Sequence, residues 1–156
     1  MHGKMNPITI YERQVYNKIA VTIDFSHTDS IAISHAIAQG GKHAEYILIH
    51  SVETAGAMMM ESEIADHETS EDLKNLAQYA HELKVKGYHV HTSLGYGNPK
   101  KSIPEIVNKE KADLLVMGAH GHKGLKDIIF GTTVETVRHK VNIPVLVIKN
   151  NDRNSQ

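Results

Sequence analysis

The alternation of apolar and polar positions divides the chain into short apolar runs separated by longer amphipathic stretches. Lys18–Asp24 carries Ile19-Ala20-Val21-Thr22-Ile23 and ends on an aspartate, the profile of a short apolar strand. Tyr46–Ser51 repeats that profile with β-branched residues, as do Ala112–Met117 and Val145–Ile148. Tyr88–Leu94 differs. Its Tyr88, Val90 and Thr92 alternate with His89, His91 and Ser93, which predicts a strand with one wetter face at the edge of a sheet.

Helical spacing fills the gaps between these runs. Ser26 or Thr28 is placed to cap a first helix with Ile31, Ile33, Ala36, Ile37 and Ala38 on its apolar face, and Gly40-Gly41 to end it. Thr69 with Asp72 resembles a capping box, so a second helix is predicted from there to about Lys86, with Leu73, Leu76, Ala77, Ala80 and Leu83 at helical spacing. Pro99 suits the first position of a third helix, and Pro104 predicts an irregular first turn. A fourth helix is expected over Thr132 to Lys140. Val52–Glu68 is the least regular stretch. Its Met58, Met59 and Met60 read as loop packing in preference to a soft metal site. Strands that alternate with helices in this way give an α/β fold with a parallel sheet and right-handed crossovers.

The candidate chemistry lies between Met117 and Val137. Gly118, Gly121 and Gly124 follow a predicted strand, and Gly131 precedes Thr132 and Thr133 where a helix is expected to open. A strand that leads through glycines to a helix start offers backbone N–H groups and a helix dipole to an anion such as a phosphate. The plainer alternative is a long glycine-rich connection that holds no ligand. The spacing Gly118-x2-Gly121-x9-Gly131-Thr132 is neither a Walker loop, which needs Gly-Lys-Ser/Thr, nor a dinucleotide fingerprint. It matches the G-2x-G-9x-G-(S/T) signature of the ATP-binding universal stress proteins. The resemblance continues through Ile19–Ser26 with its Asp-x-Ser end, Ile47–His50, Gly97-Asn98-Pro99 and Pro144–Ile148, and covers about Lys18 to Lys149 in one register.

That resemblance implies an open five-stranded parallel sheet of order 3-2-1-4-5, adenine-nucleotide alpha-hydrolase-like, with helices on both faces. It implies a domain over residues 18–149 between an N-terminal arm or linker, 1–17, and a polar tail, 150–156. ATP, ADP or AMP would bind where the strand order reverses, with Mg2+ or Mn2+ on the phosphates. Thr22, Ile23 and Asp24 would lie beside adenine and ribose, with Ser51 and Met117 bordering the base. Gly118, His120 and Gly121 would wrap the phosphates, and Gly131, Thr132 and Thr133 would donate N–H and hydroxyl groups to them. Relatives usually place Arg or Lys after the second glycine, whereas this chain has His122 and then Lys123. A neutral imidazole there brings one donor and no charge, so the outer phosphates would rely on Lys123 or Lys126. The resemblance further implies a homodimer paired through the Val145–Ile148 strand, and a cytoplasmic regulatory or stress-response role with at most slow ATP hydrolysis.

Composition narrows the alternatives. A formal net charge of −1 lacks the basic excess of a nucleic-acid binder, and two Phe, six Tyr and no Trp make a poor stacking platform. The chain has no cysteine, hence neither disulfide nor thiol nucleophile, and no apolar run near the ~18 residues that span a bilayer. Among twelve histidines, His120/His122 and His89/His91 form the close pairs, each without a neighbouring Cys or carboxylate in sequence. Surface histidines are the expected reading, and no metal ligand is assigned. His120, His122 and Asp127 are candidates for catalysis by proximity alone. An adenylating relative of the alpha-hydrolase type would carry a Ser-Gly-Gly-rich loop after strand one, and Asp24–Ser30 lacks those glycines. The arm and domain also resemble stress-protein domains appended to metal-ion transporters, which leaves a ligand-free dimeric interaction or sensor module as the rival reading.

Overall fold

The structure, a computed structural model, describes residues 3–12, 15–52, 62–119 and 128–149, and within helices leaves aside the side chains of 62–68 and 128–131. Five strands alternate with four helices: β1 Lys18–Thr22, α1 Thr28–Gly40, β2 Glu45–Val52, α2 Ser62–Val85, β3 His89–Tyr96, α3 Pro99–Glu110, β4 Leu114–Gly118, α4 Ile128–Lys140 and β5 Val145–Ile148. All pairings are parallel, and the order across the sheet is β3-β2-β1-β4-β5. β3 is an edge strand, as its wetter alternation implied.

The period of two along the central strands divides the core between the faces of the sheet. Ile19, Val21, Tyr46, Leu48, Leu114 and Val116 point to one face, where Ala32 and Ala36 of α1 and Leu76 and Ala80 of α2 cover them. Ala20, Ile47, Ile49, Leu115 and Met117 point to the other, under Ile103, Ile106 and Val107 of α3 and Val137 and Val141 of α4. Both faces of β1 are therefore dry, which is why its sequence reads as one apolar run.

Several helix boundaries differ from the sequence reading. α1 is capped at His27 without a side-chain cap, although Ser26 Oγ accepts the Thr28 N–H at 3.3 Å. Its buried face is Thr28, Asp29, Ala32, Ala36 and Gly40, while Ile31 is exposed. The predicted end holds: Gly41, at φ 60°, donates its N–H to Ile37 O at 2.7 Å. α2 begins at Ser62, so Thr69 is interior and no capping box forms there. Asp72 pairs instead with His50 at 3.1 Å, and Leu73 is exposed. Residues 62–68 are mostly polar, so no apolar period announced the early start. Met58–Met60 lie outside the described residues.

α3 starts as predicted, with Asn98 accepting the Lys100 N–H at 3.0 Å and Pro99 behind it. Pro104 lies inside this helix, where it has no N–H for the carbonyl of Lys100. Lys140 Nζ of α4 donates to that carbonyl at 3.3 Å and replaces the missing bond. α3 also approaches the sheet closely, because Gly95 of β3 is buried beneath Ser102. A Cβ there would meet Ser102 Cβ at 2.8 Å.

At the amino-terminal pole, carboxylates from other elements reach His91. His91 Nδ1 pairs with Glu45 at 2.9 Å and Nε2 with Glu110 at 3.1 Å, and Lys18 flanks both acids at 3.8 and 3.9 Å. The sequence shows no carboxylate beside His89 and His91, and the fold brings two to His91 from other elements. Among the described residues no group of three or more His, Asp or Glu is arranged to hold a metal. Asp113 fastens the start of β1 by accepting the N–H groups of Asn17 and Lys18, each at 2.9 Å. No described helix is long and apolar enough to cross a membrane.

Candidate functional site

The strand order reverses between β1 and β4, and the crevice beyond their carboxyl ends is the place where open α/β sheets take ligands. Val21 pairs with Val116, so the chain leaving Thr22 and the chain leaving Met117 emerge side by side. Ile23 extends the pairing with β2 by donating its N–H to Ile49 O at 2.7 Å. Asp24 follows, half-buried, and Gly118 closes β4 beside it.

The turn after β1 is built from its own polar groups. Asp24 Oδ1 accepts the Ser26 N–H at 2.9 Å, and the Asp24 N–H is donated to Asp29 Oδ1 at 3.2 Å. Phe25 between them has φ 63°, in the left-handed region that costs a bulky residue about 1 kcal/mol or more. Its ring packs at 4.6 Å from His50 and 5.8 Å from Tyr79, which holds that conformation in place. His50 donates from Nδ1 to Ile23 O at 2.8 Å and pairs through Nε2 with Asp72, so α2 braces the end of β1.

Asp29 is buried, 3% exposed, on the α1 side of this turn. Burial first, and the Asp24 charge second, push its carboxyl up to about 7, against the N–H groups of Asp24 and Phe25. Tyr79 is raised above the usual phenol range by burial and then by the Asp29 charge. Among the described residues, Asp29 Oδ2 and Thr28 Oγ1 are buried without a hydrogen-bond partner.

The other candidate residues distribute as follows. Thr22 is half-buried at the end of β1, and Ile23 is buried. Ser51, near the end of β2, shares a 2.7 Å hydrogen bond with Ser102 of α3. Met117 is buried, its side chain in the α3/α4 core. His120, Gly121, His122 and Lys123 lie outside the described residues, as do Lys126 and Asp127. α4 starts at Ile128, earlier than the sequence suggested, so Gly131 is in its first turn and Thr132 and Thr133 in its second. Amides in a second turn bond to carbonyls four residues back. Strand ends β1, β2 and β4 thus gather Thr22, Ile23, Asp24, Ser51 and Gly118 at one end of the sheet. Sequence reasoning missed Asp29, Phe25, His50 and Tyr79. The one available signal was a second aspartate shortly after Asp24.

Comparison with known proteins identifies the family and the fold. The family model for the Universal stress protein family matches residues 15–149. Universal stress protein MJ0531 of Methanocaldococcus jannaschii is 34% identical, over 93% of this chain and 89% of its own. Universal stress protein MJ0577 of the same organism is 32% identical over 86% of this chain and 96% of its own. The solved structure of MJ0577 superposes with a TM-score of 0.75 at 33% identity, covering 88% of this chain and 99% of that one. The universal stress protein from Archaeoglobus fulgidus, solved in complex with dAMP, has the same fold, with a TM-score of 0.65 at 21% identity over 87% of this chain and 100% of that one.

Proposed function

Because this chain belongs to the universal stress protein family, we propose that it is an adenine-nucleotide-binding regulatory domain with its ligand in the crevice between β1 and β4. The observation that carries this reading is the placement of Asp24 and Gly118 on neighbouring strand ends where the strand order reverses. Gly118 also opens the Gly118-x2-Gly121-x9-Gly131-Thr132 spacing of the ATP-binding subgroup. In this reading Asp24 accepts a hydrogen bond from a ribose hydroxyl or the adenine amine, Thr22 and Ile23 lie beside adenine and ribose, and Ser51 and Met117 border the base. Gly118, His120, Gly121, His122 and Lys123 face the phosphates from one side, and Gly131, Thr132 and Thr133 from the other. Mg2+ or Mn2+, keeping several water ligands, would neutralise a triphosphate. The A. fulgidus relative with dAMP supports an adenine nucleotide as ligand.

The role is binding with at most slow hydrolysis, since no residue is assigned to activate a water. The proposed setting is cytoplasmic, with two copies paired through β5. A Gly131→Val protein should fold normally and bind ATP at least about a hundredfold more weakly by calorimetry, because the added side chain blocks backbone approach. Wild-type ATP affinity in that variant would remove the phosphates from α4. One observation favours a second reading, a ligand-free dimeric interaction or sensor module attached to a transporter: Ile8, Ile10 and Tyr11 of the arm are exposed. Nucleotide carried through purification with none added separates the two readings.

A further inference from the structure

We propose that Asp29 is a positioning residue of the nucleotide site, which sets the charge and aim of Asp24 and couples nucleotide binding to the uptake of one proton. The inference rests on the nucleotide reading of the crevice and adds a regulatory residue to it. Asp29 holds the turn directly, since its Oδ1 accepts the Asp24 N–H at 3.2 Å, and it is almost wholly buried. Its Oδ2 is buried with no partner among the described residues, and this atom is where a proton would reside. A carboxylate buried there meets the N–H groups of Asp24 and Phe25, which favour its charge, but burial and the Asp24 charge outweigh them. A neutral carboxyl keeps the Oδ1 bond to Asp24 and removes one of two adjacent negative charges.

The surrounding groups favour the same division of labour. Asp24 faces Asp29 from the turn and raises its proton affinity, with the carboxyl at about 7. From β2 comes His50, one ring contact away through Phe25 and paired with Asp72 of α2. From α2 comes Tyr79, whose phenol is raised partly by Asp29, by Asp24 and by Glu82 beyond them. β4 brings no titratable side chain between Leu114 and Gly118. None of these described groups places a fixed positive charge on Asp29, and a proton on its carboxyl neutralises it. When a nucleotide hydroxyl hydrogen-bonds the Asp24 carboxylate, negative charge is held beside Asp29 and its protonated form is favoured. Phosphates in the same crevice add negative charge and strengthen the preference.

The test compares ATP and cyclic AMP binding by wild-type and Asp29→Asn proteins from pH 8.5 to 6, by calorimetry in buffers of different ionisation heat. Cyclic AMP holds a fixed single charge in this window, which separates ligand titration from protein titration. Wild-type affinity should rise about fivefold to tenfold from pH 8 to 6, with proton uptake near neutrality. Asp29→Asn, which keeps an oxygen for the Asp24 N–H, should bind at pH 8 as wild type does at pH 6 and lose that uptake. Parallel profiles for the two proteins would overturn the inference and leave nucleotide binding standing. No binding by either protein at any pH would remove the nucleotide reading, and the inference with it. Should Asp29→Asn fail to fold, wild-type proton uptake with cyclic AMP at pH 7.5 decides the matter, and zero uptake overturns the inference.

Discussion

A carboxylate that is 3% exposed, with one oxygen unpartnered among the described residues, works against the fold whenever it is charged. For Asp29 the direction follows from linkage. The folded carboxyl loses its proton near 7 and the ordinary value is 3.8, so between these the unfolded chain ionises first. The native state then binds more protons, and stability falls as pH rises from about 4 to 7, levelling above that. Asp29→Asn should remove this loss: it should be more stable than wild type at pH 8 by about 1–3 kcal/mol and equal near pH 4, by urea denaturation. Equal midpoints at pH 8 would mean that Asp29 is solvated in the native state. None of this was legible locally, because an aspartate in the first turn of a helix reads as an ordinary partner of the helix dipole. Its burial depends on the distant crossing of α2 with Tyr79 and on the packing of Phe25 against His50. Asp24 was legible because it closes an apolar run.

At the scale of elements, what the sequence revealed depended on how many faces each element buries. β1, β2, β4 and β5 stood out as apolar runs, and β3 as an alternating edge. The first two turns of α2 did not, because residues 62–68 are mostly polar and show no apolar period. α4 was started too late because Gly131 reads as punctuation, whereas it lies in the first turn after Ile128-Ile129-Phe130. Pro104 likewise suggested an irregular turn, and the freed Lys100 carbonyl is instead satisfied by Lys140. The contact of α3 with the sheet makes a sharper test. A Cβ on Gly95 would lie 2.8 Å from both Cβ and Oγ of Ser102 and 3.2 Å from Ile106 Cδ1, next to the Ser51–Ser102 hydrogen bond. Gly95→Ala should therefore destabilise by about 1–3 kcal/mol through overpacking. Ser102→Gly removes the clashing atoms at a helix cost of about 1 kcal/mol. The double variant should lose less stability than the sum of the singles in thermal denaturation; strict additivity would place the strain elsewhere.

The whole sheet has two edges, and they are unlike. β3 presents exposed His89 and Thr92, polar residues that discourage pairing. β5 is short and apolar, with Val145, Leu146 and Val147 half-buried. Val145 packs toward α3 and α4, and Leu146 toward the opposite face. An apolar edge of this kind is covered in the proposed dimer by a second copy of itself across a two-fold axis. Two-fold symmetry also sharpens the test, since a charge introduced on one copy faces the same charge on the other. Val147→Lys perturbs the internal core least among these positions, because it belongs to neither core cluster among the described residues. It should weaken self-association at least about a hundredfold, since a lysine buried against a like charge has no partner. Sedimentation should then show a wild-type species of twice 17.3 kDa and a variant at the single-chain mass with unchanged circular dichroism. The crevice lies between β1 and β4, interior to the sheet, so the monomeric variant should keep its ATP affinity. A wild-type protein that sediments at the single-chain mass at micromolar concentration would leave β5 an unpaired edge.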